Sequence, residues 1–421
     1  MPSTSSRRGL LALAAASLLG LLYFGVRHGF GLFLPPMTAT YGWGREVFGL
    51  AIAVQVLLWG LALPLAGLLA DRYGSGRILA LGGLFYALGL YGTARAESPF
   101  MLVMTLGVLV ALGLGFASFS IAIGVVSRAV SEDKRSLYTG IVMAGSSVGM
   151  LTITPLELVL IESIGWQTTL DVLAVLILTI VLLAAFLTGK PATSTRGEAV
   201  ESIPGGVSVQ GPLEAVLHAV SQKRFWLLFW GFFVCGFHVT FVATHLPAYI
   251  QDQGGAASLG TLALSLIGLF NLFGSLLSGY IGGKISKRIG LSVLYLLRAG
   301  VFALFVVLPV TPTSVIVFSM LLGLLWLSTV PLTSGLVGQI YGLRYFASLF
   351  GLVFLGHQVG SFLGVWAGGW VFDVTGSYNV VWYASIGLGV FAALIHWPID
   401  ERSDEAFSAP AVQPLPESSP A

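Results

Sequence analysis

AGLLADRYGSGR (residues 66–77) is a run of small and apolar residues that stops at the charge pair Asp71–Arg72. Gly74 then breaks the chain direction, and Arg77 opens the next apolar run. SGYIGGKISKR (278–288) repeats the arrangement, with a glycine at the end of an apolar run followed by a short basic turn. The same junction at equivalent places in the two halves of the chain marks an internal repeat. Pro36 and Pro247 align in the same way, which sets Arg27 opposite His238.

Outward from these junctions, apolar stretches close to the ~20 residues that cross a bilayer recur at 10–36, 46–70, 76–95, 99–127, 138–162, 166–189, 225–250, 258–282, 289–310, 314–341, 346–372 and 379–399. They are continuous rather than alternating, so they predict helices and not barrel strands. Only 9% of residues are charged and 56% are hydrophobic. A soluble domain carries about 25% charged residues, so lipid must be the solvent for most of this chain. The expected fold is an all-α membrane protein with twelve transmembrane helices in two pseudo-symmetric six-helix bundles.

Most arginines and lysines, from Arg7 and Arg8 through Lys284, Lys287 and Arg288 to Arg402, fall on one side of that arrangement, and Arg45 and Arg95 on the other. The positive-inside rule then places both termini in the cytoplasm, in a cell inner membrane. Arg7 and Arg8 precede a run too long for a cleaved signal core, which predicts a retained first helix. The bundles are expected at 1–189 and 224–400. Between them, PATSTRGEAVESIPGG reads as a flexible cytoplasmic linker over 190–223, and 401–421 as a disordered tail.

Several function classes fall away. A net charge of +2 is too small to suggest a nucleic-acid partner. A single cysteine, Cys235, allows neither a disulfide framework nor a cysteine-cluster metal site, and no cofactor is expected. No glycine loop has the strand–helix setting of a nucleotide site, so ATP-driven transport by this chain alone is not expected.

GLLADRYGSGR (67–77) resembles the signature loop of the major facilitator superfamily, with Gly67, Asp71, Arg72, Gly74 and Arg77 at the matching positions. The resemblance implies a transporter in which that glycine lets two helices approach and the Asp–Arg charges latch the cytoplasmic gate. In the second half Gly279 is kept but Gly283 stands where the acid would be, which implies an asymmetric latch. DKRSLYTGIVMAGSSVG (133–149) and HGFGLFLPP (28–36) are similar to segments of the monocarboxylate-porter and oxalate/formate-antiporter branch. By that resemblance His28 takes the place of a membrane lysine, Asn271 and Ser275 take the places of an acid and an arginine, and His357 that of a second lysine. Drug/proton antiporters carry an arginine where this chain has Leu109, and GSSVGMLTITP replaces their fifth-helix element, so drug efflux is disfavoured.

A charge at membrane depth costs a few kcal/mol or more, so it needs a partner or a wet cavity. Arg27, deep in the first helix, is the expected anchor for a substrate carboxylate, because a guanidinium presents a planar fork and stays charged. The competing readings are a structural pair with Glu157 and a charge reaching for the headgroups. Arg298 is equally deep but lies on the ninth helix, peripheral in the resembled fold, so substrate contact and a structural role stay open. His28, His238 and His357 fall on cavity-lining helices and titrate in the range a proton-coupled carrier uses; packing is the plainer reading of each. His245 serves the outer gate or bonds a carbonyl. Glu157 is a proton carrier, the counter-ion of Arg27, or, most simply, an exposed acid near the outer surface. Asn271 is a polar lining candidate, and Asp171, Asp252 and Asp373 read as solvated.

The expected activity is secondary transport of a small organic anion, a monocarboxylate, by alternating access with proton coupling or anion exchange, through a monomer in a lipid bilayer. An exporter of an amphipathic or zwitterionic metabolite and a histidine-ligated haem protein are the alternatives. No enzymatic activity is expected.

Overall fold

The computed structural model describes residues 4–129, 132–188, 211–342 and 344–407. Among them, eleven helices are long and apolar enough to cross a membrane: Gly9–Tyr41, Arg45–Tyr73, Pro99–Ser127, Gly140–Ile164, Trp166–Ala184, Lys223–Asp252, Ala257–Gly282, Lys287–Val307, Pro312–Tyr341, Phe346–Thr375 and Asn379–His396. The helix Ser75–Thr93, between the second and third of these, fills the place of the third expected span. Its arginine and glycines dilute its apolar character while leaving 19 residues of helix. Counted with it, the helices are numbered first to twelfth in chain order below.

The halves are built alike. The first helix packs on the fifth and the third on the sixth; in the second half the seventh packs on the eleventh and the ninth on the twelfth. The second helix meets the eleventh, the fifth meets the eighth, and the first meets the seventh across the boundary between halves. In lipid such packing rests on close van der Waals contact rather than on water exclusion. Gly49 shows it: a Cβ there would sit 2.8 Å from the Val365 carbonyl oxygen of the eleventh helix.

The two ends of the bundle differ. At one end Arg45 and Asp252 join the second helix to the seventh, and Asp373 accepts the backbone N–H groups of Arg45 (2.8 Å) and Glu46 (2.7 Å) at the N-terminus of the second helix. Asp252 and Asp373 are exposed, as expected, and they also clamp the halves together. Further bonds across the boundary lie at mid-depth, from His28 to the Leu264 carbonyl and from Gln358 to the Val56 carbonyl. At the other end Gly67 and Gly279 face open space, and Asp71 and Arg72 are exposed with no ion pair among the described residues. The close approach expected at Gly67 is absent because the halves are apart there. Gly74 supplies the turn itself, with φ 95° and its N–H on the Ala70 carbonyl oxygen at 2.8 Å.

Several expectations need correction. The fifth helix starts at Glu132, so the basic segment 133–137 is helical rather than a loop. The expected linker contains the helix Pro212–Val220, and 190–210 lies outside the described residues. The tail is ordered as far as Phe407: Asp404 accepts bonds from Arg224 (2.5 Å) and Gln222 and lies 3.1 Å from His218, while Glu401 accepts from Ser286 (3.0 Å) and the Arg288 N–H (2.6 Å). Residues 408–421 lie outside the described residues.

The tenth helix is not one rod. It breaks between Pro312–Leu325 and Thr329–Tyr341, which frees backbone groups at membrane depth. Three side chains from two neighbouring helices restore the bonds. Arg298 donates to the carbonyl oxygens of Leu325 and of Trp326 (2.8 Å), Asn271 accepts the Leu327 N–H (3.1 Å), and Ser278 donates to the Ser328 carbonyl.

Candidate functional site

The first helix changes character at mid-depth. After His28 it tightens into a 3₁₀ turn over Gly29–Phe33, then resumes at Leu34 with Pro35 and Pro36 at its start. A 3₁₀ stretch inside a long helix marks a hinge or a functional site. Arg27 sits just before this tightening. Its guanidinium carbon lies 4.6 Å from the centre of the Trp59 ring on the second helix. Among the described residues it makes no ion pair, and its Nε has no hydrogen-bond partner. An aromatic face holds a cation with about 0.5–2 kcal/mol and leaves its N–H edge free.

Arg27 opens onto a narrow cleft of about 30 Å³ between the halves. Phe30 and Gly31 of the first helix, Ile52 and Gln55 of the second, and Thr240 and Thr244 of the seventh complete most of its wall. Gln55 is 1% exposed; its Nε2 donates to the Leu106 carbonyl at 2.9 Å and its Oε1 has no partner. A buried orphan acceptor costs about 1–3 kcal/mol, so this is an unspent hydrogen-bonding group at the edge of the cleft.

Glu157 is 0% exposed, not a surface acid. Nor does it pair with Arg27 in this structure. Its carboxyl lies against Gly29, where a Cβ would collide with it, and neither oxygen has a hydrogen-bond partner. The first helix can pass the acid only because position 29 has no side chain.

The remaining candidates do not converge on the cleft. His28 lies beside it and reaches the Leu264 carbonyl of the eighth helix at 3.0 Å, so it bridges the halves. His238 bonds the Ser385 carbonyl at 2.8 Å and its ring meets Phe302 edge-on at 4.9 Å. It therefore packs between the seventh, ninth and twelfth helices and does not face Arg27. His357 lies against Phe232 and Phe354, with Nδ1 unpartnered. Asn271 and Arg298, 8% and 1% exposed, are committed to the break in the tenth helix. Two Arg298 nitrogens remain without partners inside the second half.

Of the two readings of His245, the structure shows the carbonyl bond. Its Nε2 lies 2.8 Å from the Val365 carbonyl and its Nδ1 3.0 Å from the Tyr378 hydroxyl, which accepts from Arg45 at 2.9 Å. A carbonyl can only accept, so Nε2 carries the proton and the Tyr378 hydroxyl donates to Nδ1. Sequence reading passed over Gln55 and Trp59; the available signal was one amide and one indole in the otherwise apolar AIAVQVLLWG (51–60).

Comparison with known proteins adds the family. The family model described as the Major Facilitator Superfamily matches residues 16–345. The MFS-type transporter YcxA of Bacillus subtilis is 24% identical over 84% of this chain and 86% of its own. Monocarboxylate transporter 13 of Rattus norvegicus is 25% identical over 92% of this chain and 89% of its own, and monocarboxylate transporter 4 of the same species 26% identical over 76% and 67%. Among solved structures, a bacterial homologue of the human lysosomal transporter Spinster, inward-facing and unoccupied, superposes with a TM-score of 0.72 at 16% identity, over 94% of this chain and 97% of that one. A mutant of the nucleoside transporter NupG superposes with 0.74 at 14% identity, over 92% and 99%. At such identities these two structures speak to the fold alone.

Proposed function

The chain belongs to the Major Facilitator Superfamily, and from that premise we propose that it carries a small organic anion, a monocarboxylate, by alternating access. The observation that supports this most is Arg27: a fixed cation at mid-depth, seated on Trp59, without a protein counter-ion among the described residues, on a cleft between the halves. A substrate carboxylate supplies the charge that the protein does not. The monocarboxylate transporters among the relatives favour the same class.

In this reading the structure is the state open at the Asp71 end, with the Arg45 end clamped. The asymmetry of the basic residues supports a cytoplasmic Asp71 end, in a protein of a cell's inner membrane. The carrier acts as a monomer and moves the anion with a proton or in exchange for another anion. Of the proton-coupling candidates His28, His238, His357 and Glu157, Glu157 has the best setting. It is buried against the 3₁₀ turn that begins two residues after Arg27, with both oxygens free to take and release a proton.

Uptake of radiolabelled lactate, pyruvate and longer monocarboxylates into proteoliposomes tests the proposal. Arg27→Gln is expected to abolish uptake of every carboxylate while folding normally. Normal transport by Arg27→Gln, or no transport of any carboxylate by the unmodified chain, would sink it. Glu157→Gln is expected to keep anion exchange and lose uptake driven by a pH gradient.

A further inference from the structure

We infer that Gln55 is a specificity-determining residue: its side-chain carbonyl selects carboxylates that carry a hydrogen-bond donor next to the carboxyl group. The inference rests on the anchor reading of Arg27 and goes one step further, to the substrate's second polar group.

The orientation of the amide is fixed by its surroundings. The Leu106 carbonyl at 2.9 Å can only accept, so the NH₂ group of Gln55 must face it and Oε1 must point the other way. Leu106 belongs to a stretch of π-helix, Val103–Leu109, in the fourth helix, so this partner is part of the backbone and the amide is held rigidly. Oε1 is then an oriented acceptor with no partner, in a residue that lines the same cleft as Arg27. Arg27 brings its guanidinium, which has no ion pair among the described residues, to the wall of that cleft.

In this state the cleft is narrow, with about 30 Å³ of free space, so a substrate acid enters between its walls as the halves part. A ligand seated between those walls meets both residues at once. The pair asks for an anion with a donor close by, attached to a small body that suits Phe30 and Ile52. A 2-hydroxy acid has that pattern. A 2-oxo acid of the same skeleton offers Gln55 a second acceptor, and leaves two carbonyl oxygens facing each other with no proton between them.

Competition against uptake of a labelled monocarboxylate by the full chain in proteoliposomes reads the preference directly. The probes are matched pairs, lactate with pyruvate and 2-hydroxyisocaproate with 2-oxoisocaproate. The hydroxy member is expected to compete about tenfold better in each pair, the effect of one net hydrogen bond to a buried acceptor. Gln55→Met keeps the volume and removes the acceptor; it is expected to bring each pair within about twofold, chiefly by weakening the hydroxy member. Equal competition by both members in the unmodified chain, or a preference that survives in Gln55→Met, overturns the role of Gln55 and leaves Arg27 standing. If no acid of either kind competes, the anchor reading falls and this inference with it. The comparison within the unmodified chain decides the matter even if Gln55→Met does not fold.

Discussion

Arg45 and Asp252 meet across the boundary between the halves with two parallel hydrogen bonds, Nη1 to one carboxylate oxygen at 2.6 Å and Nη2 to the other at 2.7 Å. Arg45 opens the second helix and Asp252 closes the seventh, so the pair ties the halves where they must part for the opposite conformation. Both side chains keep some exposure, 17% and 29%, which tempers its strength. Asp252→Asn is expected to weaken the closed end by about 1–2 kcal/mol. The readout is labelling of a cysteine introduced near residue 252, which should rise several-fold in the variant. Unchanged labelling would mean that the clamp rests on Asp373 and on packing alone.

Arg298 yields a prediction that separates two roles. If it contacts substrate, replacing it changes apparent affinity; if it holds the broken tenth helix, replacing it lowers stability. The bonds to Leu325 and Trp326 favour the second. Arg298→Met should destabilise the purified protein by about 2–4 kcal/mol, since it strips two buried carbonyl oxygens of their donor. The KM of the fraction that folds should be unchanged. A rise in KM at normal thermal stability would reverse the assignment.

Gly29→Ala places a methyl group where the Glu157 carboxyl lies. The acid or the first helix must move, at about 1–3 kcal/mol. The double variant Gly29→Ala/Glu157→Ala should recover most of that loss, because the second change removes the obstacle. Thermal denaturation of the four proteins closes the cycle. Additive losses would show that the two residues are not in contact.

Outside the membrane, the Asp404 clasp gives a pH prediction. Burial pushes the Asp404 carboxyl up, but hydrogen bonds from Gln222, the Ala406 N–H and His218, with the charge of Arg224, outweigh it and hold the group below its usual 3.8. A carboxylate depressed in the folded state contributes stability that is complete above its unfolded pKa and is lost as pH falls through the folded value. The contribution of the Asp404 carboxylate should therefore be complete above about pH 5 and be lost only below 3.8. Asp404→Asn should cost about 1–2 kcal/mol at neutral pH and flatten the acid limb of the stability curve. An acid limb identical in the variant would assign it elsewhere.

The sequence carried the frame well and the pairings poorly. Helix positions were legible because a membrane span needs a long apolar run whatever it packs against. Arg27 was legible because a charge inside such a run has few innocent explanations. His238 was misread because a pseudo-symmetric alignment fixes its depth on the helix but not the direction of its ring. The break near Trp326 was hidden because WLSTVP keeps the apolar character of a span; what permits it is Arg298 and Asn271 on two other helices. Asp252 and Asp373 are exposed as read, but their contacts across the halves were not legible because a sequence does not say which helix ends will touch.

Arg27 also has a consequence for the membrane voltage. With Glu157 protonated throughout, as in anion exchange, the cleft is neutral when a monoanion is bound, and once the anion leaves it holds one uncompensated positive charge among the described residues. On the anchor reading, the transmembrane potential acts on the empty carrier and hardly on the loaded one, with at most about 2.3 kcal/mol per 100 mV for a charge crossing the whole field. The electrically sensitive step of the cycle is then the return of the unloaded protein, and a second anion binding for that return would relieve it.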